Sequence, residues 1–410
     1  MKRSVPDGKM RILFVHERFG AWAGAEVNLL VTARELRRRG HAVAILHGPG
    51  TRKGEDDWEE TFTERFALAT DDNSFLAVNT ALERFQPDLA YVHKLADLDA
   101  LTALVSSGVL LIRMVHDHEL CCMRSYKYFY PGRQICTRPV SPFCVFPCGA
   151  VIARNRDGGF PLKWVGYASK KNEIRLNRKF QRLIVNSHYM REELVHNGFA
   201  PDRIELHPPV PPHHEPALHS SFSDRNLIVY AGQIVRGKGV DVLLESLALV
   251  RVPFVCVILG DGNHRPFCEQ LSRKLGLADR VQFKGYVPPD QQRNYHRECS
   301  VVVVSSVWPE PFGMVGIEAM RHGLPVVAFD AGGIKEWLFD GQNGCLVPWM
   351  DRAAYAARVE ELLKNKTLAR QMGERGRQLV SEQYNFSKYI SGLEDLFTRV
   401  AAETQNGVTA

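Results

Sequence analysis

The sequence has no apolar segment long enough to cross a membrane. Its longest hydrophobic runs, such as LLIRMV and VVVV, are of strand length, whereas a spanning helix needs about 20 apolar residues. The opening stretch MKRSVPDGKM lacks the apolar core of a secretory signal. We therefore expect a cytoplasmic protein. Its nine cysteines should then be reduced, and either buried or metal-binding rather than paired in a disulfide framework.

The chain also has little excess charge, with a formal net charge of +6 over 410 residues. All of the excess lies before residue 210, and its densest part runs from Lys163 to Arg182. This basic stretch is either the solvated face of a helix or a contact for anionic lipid or an acidic acceptor, which would make the protein peripheral on the inner membrane face. No nucleic-acid partner is expected.

Short apolar runs alternate with helical patterns along most of the chain. MRILFV, a Gly-containing loop and a helical pattern ending at Arg39-Gly40 form the first such unit, and this alternation predicts parallel sheets with helices on both faces. A Pro-rich stretch at 208–223 interrupts it and is predicted to be a linker. We predict an N-terminal α/β domain (1–207) with a Cys-rich loop (119–149), a C-terminal α/β domain (224–383), and a final helix and tail (384–410).

The segment from Ser305 to Gly333 carries the strongest chemical signal. A predicted strand ends in an aromatic, Pro-bearing loop, and a helix begins near Gly313. The free amides of such a helix N-terminus bind phosphate. Glu310 precedes the helix and Glu318 lies inside it, so two carboxylates surround one anion-binding centre. A carboxylate accepts hydrogen bonds from sugar hydroxyls in fixed directions.

This segment resembles the E-x7-E signature of glycosyltransferase family 4. YAGQIVRGKGVDVLLESLA, LGDG, FKGYV and AGG resemble further landmarks of the family, in the family's order, and GAWAGAEVNLLVTARELRRRGHAV resembles its Gly-rich acceptor loop and first helix. The resemblance covers most of the chain. It implies the GT-B fold, in which two Rossmann-like doubly wound parallel-sheet domains face a central cleft and the C-terminal helices cross back.

The resemblance also implies roles for individual residues. Glu318 would hold the ribose hydroxyls, Glu310 the donor sugar, and Lys238 with Arg236 the diphosphate, while His116 would lie beside the sugar. The remaining implied contacts are donor-side backbone or loop positions, namely Gly232, Gln233, Gly285, Tyr286, Phe312, Gly313, Met314 and Val315, and the acceptor-side positions Gly24 and Asp117. Gln233 stands where the family commonly has arginine, and Arg236 is expected to supply that charge.

The function implied is a retaining, metal-independent hexosyltransferase. It would move a hexose-like unit from a UDP- or GDP-sugar to a glycan or lipid-linked acceptor in cell-surface polysaccharide synthesis. Two alternatives stay open: a nucleotide-sugar epimerase, and a non-catalytic binding or metal-sensing protein of the same fold. The DxD pattern at Asp97-Leu98-Asp99 is predicted to begin a helix rather than to bind a metal.

Five of the nine cysteines cluster between residues 121 and 148. The surrounding prolines, glycines and aromatics indicate an irregular loop without a strong core, which a structural zinc could hold together. An iron-sulfur cluster, buried reduced thiols and an occasional disulfide are the alternatives. Basic residues of this loop, including Lys127 and Arg133, could meet an anionic acceptor or keep the loop soluble. The candidate metal ligands are Cys121, Cys122, Cys136, Cys144 and Cys148.

Overall fold

The computed structural model describes residues 9–20, 24–68, 73–129, 132–154, 162–210 and 220–406. The chain divides into two compact units. The first comprises the described residues within Met1–Ser125, Thr137–Pro212 and Phe386–Ala410, and the second those within Tyr126–Cys136 and His213–Asn385. Most of the predicted linker, 211–219, lies outside the described residues. One segment differs from the predicted boundaries, because 126–136 belongs to the second unit; the last helix, predicted to cross back, belongs to the first.

The first unit is built on a parallel sheet of seven strands. The strands of this sheet are β1 (Arg11–His16), β2 (Ala42–His47), β3 (Glu64–Ala67), β4 (Leu89–Lys94), β5 (Leu110–Val115), β8 (Arg182–Val185) and β9 (Ile204–Leu206). Two further strands, β6 (Ile152–Arg154) and β7 (Leu162–Trp164), form a separate pair. The sheet order is β3-β2-β1-β4-β5-β8-β9, whereas β6 and β7 pair antiparallel. The inner strands β1, β4 and β5 are buried at nearly every position, as expected of a sheet covered on both faces.

Six helices connect these strands in the described part of the first unit: α1 (Gly24–Arg38), α2 (Glu55–Thr61), α3 (Ser74–Phe85), α4 (Leu98–Ser106), α5 (Tyr167–Asn177) and α6 (His188–His196). Leucine, valine and alanine side chains of α3 and α4 pack with β1, β2 and β4 into one apolar cluster. The carboxylate of Asp97 accepts hydrogen bonds from the amides of Asp99 and Ala100, both at 2.9 Å. The DxD pattern is thus a helix N-cap, as predicted.

The second unit has a six-stranded parallel sheet in the order β12-β11-β10-β13-β14-β15. Its strands are β10 (Leu227–Ala231), β11 (Val255–Leu259), β12 (Val281–Gly285), β13 (Cys299–Val304), β14 (Val326–Phe329) and β15 (Gly344–Val347). Its helices are α7 (Val240–Leu247), α8 (Arg265–Lys274), α9 (Pro289–His296), α10 (Met314–Arg321), α11 (Arg352–Lys364) and α12 (Lys366–Gln383). The two doubly wound parallel sheets predicted from the alternating pattern are confirmed.

The last helix, α13 (Phe386–Asn406), belongs to the first unit. The Glu394 carboxylate accepts a bond from Arg39 at 2.6 Å and contacts the His41 ring at 2.8 Å, while the Phe397 ring packs edge-on against Tyr91 with centroids 5.1 Å apart. A helix distant in sequence therefore completes the packing of the first sheet. No helix among the described residues is both long and apolar enough to cross a membrane.

The strand order of each sheet reverses at one point, between β1 and β4 in the first unit and between β10 and β13 in the second. In doubly wound sheets, ligands bind at the carboxyl ends of the strands beside such a reversal. The predicted donor-side residues follow β10 and β13 at those ends, except Gly285 and Tyr286, which lie at the end of β12. His116 and Asp117 follow β5 in the first unit.

Candidate active site

Three loops of the second unit meet at the carboxyl ends of β10, β11 and β12. The Gly232 amide donates to the Leu259 carbonyl at 2.9 Å, and the Gly260 amide donates to the Gly285 carbonyl at 2.7 Å. A Cβ atom on Gly260 would lie only 1.8 Å from the Gly232 carbonyl oxygen, so no larger residue fits there. The predicted donor-side positions Gly232 and Gly285 therefore lie in adjoining loops, and the neighbouring Tyr286 side chain is 62% exposed.

Glu310 is buried in the loop after β13, and three donors converge on its Oε1 atom. Lys238 Nζ lies 2.6 Å from it, Trp308 Nε1 donates at 2.9 Å, and the Ser306 hydroxyl donates a third bond. Burial acts to raise the pKa of the Glu310 carboxyl, but Lys238 and the two neutral donors outweigh it, so the pKa lies below its usual value. The site thus holds an ionised carboxylate beside a cation.

Lys238 and Arg236 lie together in a short 3-10 turn between β10 and α7. The Lys238 ammonium also lies 5.1 Å from the centre of the Trp308 ring. Arg236 lines a cavity of about 430 Å³ on the other side of the turn. Gln233 is exposed, and its backbone carbonyl accepts a bond from the Tyr230 hydroxyl at 3.0 Å. The two cations are therefore neighbours in sequence, and only Lys238 pairs with Glu310 in this arrangement.

Helix α10 begins next to this pair, with Gly313 as its N-cap residue in a left-handed conformation. The Phe312 carbonyl accepts a bond from Trp337 Nε1 at 2.6 Å, which fixes the peptide before the helix. The amides of Met314 and Val315 lie in the first turn, where an α-helix provides no internal acceptor. The predicted anion-binding helix N-terminus is therefore formed by the residues expected.

Glu318 lies one turn inside α10. Its side chain is exposed, yet surrounding protein desolvates the carboxyl and raises its pKa to about 7. A ligand can reach this carboxyl, and its charge at neutral pH is sensitive to what binds it.

The first unit has a separate polar cluster at the ends of β4 and β5. His93 Nδ1 and His116 Nε2 lie 2.9 Å apart, and their rings stack at 5.0 Å. Burial lowers the pKa of His116 to about 3, and that of His93 also lies well below its usual value. Both imidazoles are therefore neutral. One donates to the other, which fixes the orientation of His116.

Asp117 follows His116 and pairs with Lys94, whose ammonium lies 3.0 Å from the carboxylate. Asp117 also accepts a bond from the Glu119 amide at 2.8 Å. Burial opposes ionisation, but Lys94 and these bonds hold the pKa of Asp117 below its usual value. Gly24, the predicted acceptor-side glycine, is the first residue of α1 and has no neighbour within 4 Å of a Cβ position. The preceding loop residues 21–23 lie outside the described residues.

The five clustered cysteines do not form the grouping that a zinc site needs. Within the described ranges, which include all five, no three His, Cys, Asp or Glu side chains are placed to hold one metal ion. Cys121, Cys144 and Cys148 pack instead against an apolar cluster of the first unit, and Cys136 lies in the segment that belongs to the second unit. Of the five, Cys121 is buried and the other four are partly exposed.

Two basic residues of the Cys-rich loop also differ from expectation. Lys127 is fully buried and Arg133 is 8% exposed. Arg133 donates to both carboxylate oxygens of Asp241, at 3.1 Å for the Nη1 bond. Lys127 is enclosed and the Arg133 guanidinium is bound by Asp241, so both side chains are largely withdrawn from solvent.

Two residues that contact Glu310 were not predicted from the sequence. Ser306 and Trp308 were visible only as parts of the SSVWPEPFG motif, and nothing in their spacing indicates bonds to Glu310. His93, a weaker sequence candidate than His116, contacts it because β4 and β5 are neighbouring parallel strands and both histidines lie at their carboxyl ends.

Two family models match the chain. Residues 22–210 match "Glycosyltransferase Family 4", and residues 215–379 match "Glycosyl transferases group 1". The chain belongs to glycosyltransferase family 4. The two matches cover most of both α/β parts and leave out β1 and α13.

The relatives found among curated proteins are glycosyltransferases matched over part of their length. The lipopolysaccharide core biosynthesis glycosyltransferase LpsE of Rhizobium meliloti is 32% identical over 40% of this chain and 47% of its own. The α-D-kanosaminyltransferase of Streptomyces kanamyceticus is 34% identical over 44% of this chain and 47% of its own. The chain thus spans about half the length of the curated relatives it matches.

Solved structures resemble the whole family 4 chain. HepE from Anabaena, in complex with UDP, has a TM-score of 0.71 at 19% identity and covers 95% of this chain and 100% of its own. The lipopolysaccharide outer core galactosyltransferase WaaB has a TM-score of 0.69 at 15% identity, covering 95% and 100%. At these identities the likeness shows the fold, which is GT-B.

Proposed function

We propose that the protein transfers a hexose-like sugar from a UDP- or GDP-sugar to a glycan or lipid-linked acceptor, with retention of anomeric configuration and without a metal. The observation that carries the proposal is the buried Lys238–Glu310 pair beside the N-terminus of α10, at the carboxyl ends of a doubly wound sheet. A cation and helix amides can bind the diphosphate and stabilise it as it leaves, and a carboxylate can bind the sugar hydroxyls.

In this proposal Lys238, Arg236 and the first amides of α10 stabilise the departing diphosphate. The bond between the anomeric carbon and the diphosphate oxygen breaks while that oxygen takes the acceptor's hydroxyl proton. The acceptor oxygen then bonds to the same face of the sugar. Charge stabilisation on the leaving group supplies most of the rate acceleration, because no strong base is needed when the phosphate takes the proton.

Glu318 and Glu310 hold the donor. The Glu318 carboxylate accepts bonds from the ribose hydroxyls, and Glu310 accepts bonds from hydroxyls of the sugar. The neutral His116 provides a hydrogen-bonding nitrogen beside the sugar, and its low pKa prevents it from adding a positive charge near the developing oxocarbenium ion. The HepE complexes with UDP and with UDP-glucose support testing uridine donors first.

The stereochemistry is tested by isolating a product. UDP-glucose, whose glucose is α-linked, is incubated with the protein and a panel of aryl glycosides as surrogate acceptors, and the anomeric coupling in the transfer product is read by NMR. We expect an α-glycoside, which cannot mutarotate after it forms. A β-glycoside would contradict retention, and a changed sugar still attached to UDP would support the epimerase alternative.

We further propose that the protein acts at the cytoplasmic face of a membrane. In the first unit, Trp164 is 72% exposed at the end of β7, three residues before the basic helix α5. Trp164 pairs with the exposed Ile152 across β6 and β7, and Lys171 and Arg175 are exposed on α5. Aromatic side chains beside basic ones suit the surface of an anionic bilayer.

Vesicle binding tests this surface. We expect co-sedimentation with phosphatidylglycerol vesicles that weakens on Trp164→Ser, because a buried indole and its basic neighbours supply the attachment, and little binding to phosphatidylcholine. Leu76→Ser is the control, since Leu76 is a 57%-exposed apolar residue on α3 of the same unit. Equal vesicle binding by wild type and Trp164→Ser would show that this surface does not attach the protein to the bilayer.

A further inference from the structure

The tip of the Cys-rich loop forms a hairpin within the second unit. The Cys136 amide donates to the Lys127 carbonyl at 2.7 Å, and the Phe129 amide donates to the Gln134 carbonyl at 2.9 Å. Tyr128 and Ile135 form the antiparallel bridge between them. We call the described residues of 127–136 the tip hairpin. It comes from the middle of the first unit's sequence but packs with the donor-side sheet.

A buried ion pair fastens the tip hairpin to helix α7. Arg133 donates to both oxygens of Asp241, and each of these two residues is 8% exposed. Arg133 adopts φ of +57°, a left-handed conformation that a non-glycine residue takes only when its surroundings hold it there. A two-bond guanidinium–carboxylate pair defines both position and orientation. The hairpin is therefore fixed relative to the first turn of α7.

The tip hairpin also contacts the turn that carries the site cations. A Cβ atom on Gly237 would lie 3.3 Å from Tyr128 Cε1 on one side and 3.3 Å from the Trp308 side chain on the other. The amides of Val307 and Trp308 both donate to the Gly237 carbonyl, at 2.9 and 3.0 Å. Gly237 is thus packed between Tyr128 and the loop that holds Glu310, and a side chain there would require its neighbours to shift by a few tenths of an ångström.

We propose that the tip hairpin is a positioning element of the donor diphosphate site, acting through Arg133 and Tyr128 on the turn 236–238. Lys238 reaches Glu310 from that turn, and Arg236 lines the 430 Å³ cavity together with Arg133. Displacement of the turn moves both cations away from where the two phosphates bind. The inference rests on the proposed nucleotide-sugar function. It adds to the donor site the tip hairpin, a segment that lies outside every sequence motif of the second unit.

The test separates phosphate recognition from general folding. Arg133→Met removes the ion pair but keeps an apolar stem, and its affinities for UDP and UMP are compared with those of the wild type by titration calorimetry. We expect UDP to bind about ten- to a hundredfold more weakly, with a clearly smaller loss for UMP, because the displaced cations act on the second phosphate. Arg133→Lys, which keeps the charge but loses the fork, should restore part of the UDP affinity.

A matched control lies on α11, where Glu360 pairs with Lys364 away from the tip hairpin and its cavity. Glu360→Gln should leave both affinities near the wild-type values. Tyr128→Leu disturbs the same turn through a different contact, and it should also weaken the binding of UDP more than that of UMP. Equal losses for UDP and UMP in folded Arg133→Met, or no loss, would overturn the proposal. Failure of the wild type to bind UDP or GDP at all would overturn the proposed function instead.

Discussion

Lys238→Met should lower kcat for sugar transfer by about 10²- to 10³-fold, the cost of removing one preorganised group that stabilises the leaving charge. Lys238 is the cation that contacts Glu310, at 2.6 Å, and methionine keeps most of the length of the side chain without its charge. The measurement is release of UDP or GDP from the accepted donor in a coupled assay.

The same substitution should change the pH profile. Burial raises the pKa of Glu310, and Lys238 is the first of the groups that offset it. Without the ammonium the pKa of Glu310 rises, so the residual activity should begin to fall at a higher pH on the acid side than in the wild type. Lys364→Met, at a lysine of α11 whose side chain is 60% exposed, is the control and should keep wild-type kcat. A folded Lys238→Met protein with near-normal kcat would show that the leaving charge is stabilised elsewhere.

Glu318→Gln should weaken nucleotide binding by about ten- to a hundredfold, because hydrogen bonds to a charged group contribute roughly 1.5–3 kcal/mol. The number of protons released on ligand binding gives a second test of the role of Glu318. The free carboxyl has a pKa of about 7, and ribose hydroxyls that donate to it favour the ionised form. Binding therefore lowers this pKa and releases protons.

Titration calorimetry in two buffers of different ionisation enthalpy measures that release. We expect protons to be released near pH 6.5 on binding of UDP-glucose, whose diphosphate has no group that titrates near neutral pH, and none at pH 9, where Glu318 is already ionised. Glu318→Gln should abolish the release, whereas Glu361→Gln, at a half-exposed glutamate of α11, should preserve it. Proton uptake, or equal release by Glu318→Gln, would contradict the role assigned to this carboxyl.

The sequence predicted the two sheets well because each inner parallel strand is an apolar run bounded by turn residues. CSVVVV and LLIRMV are buried throughout as β13 and β5. The start of α10 was also predictable, since a glycine follows an aromatic, Pro-bearing loop and precedes a helical pattern. These features depend on residues close together in the chain.

Contacts between distant residues were not predictable in the same way. Arg133 and Asp241 are 108 positions apart. From the sequence alone, each would be predicted to be a charged residue at the surface. The attachment of the tip hairpin to the second unit follows from that pair and from the close packing at Gly237. The cysteine cluster is a related case, because clustering in sequence places thiols in one loop but does not determine the direction of their side chains.

The central claim is that the second unit binds a nucleotide diphosphate-sugar through Glu318, and a thermal-shift panel tests it most directly. The Tm of wild type and of Glu318→Ala is measured by heating each protein with UDP-, GDP-, ADP- and dTDP-sugars in turn, since only a ligand of the folded state raises Tm. The account predicts that one nucleotide class stabilises the wild type selectively and that Glu318→Ala loses this shift. No stabilisation by any donor, or an undiminished shift in Glu318→Ala, would contradict it.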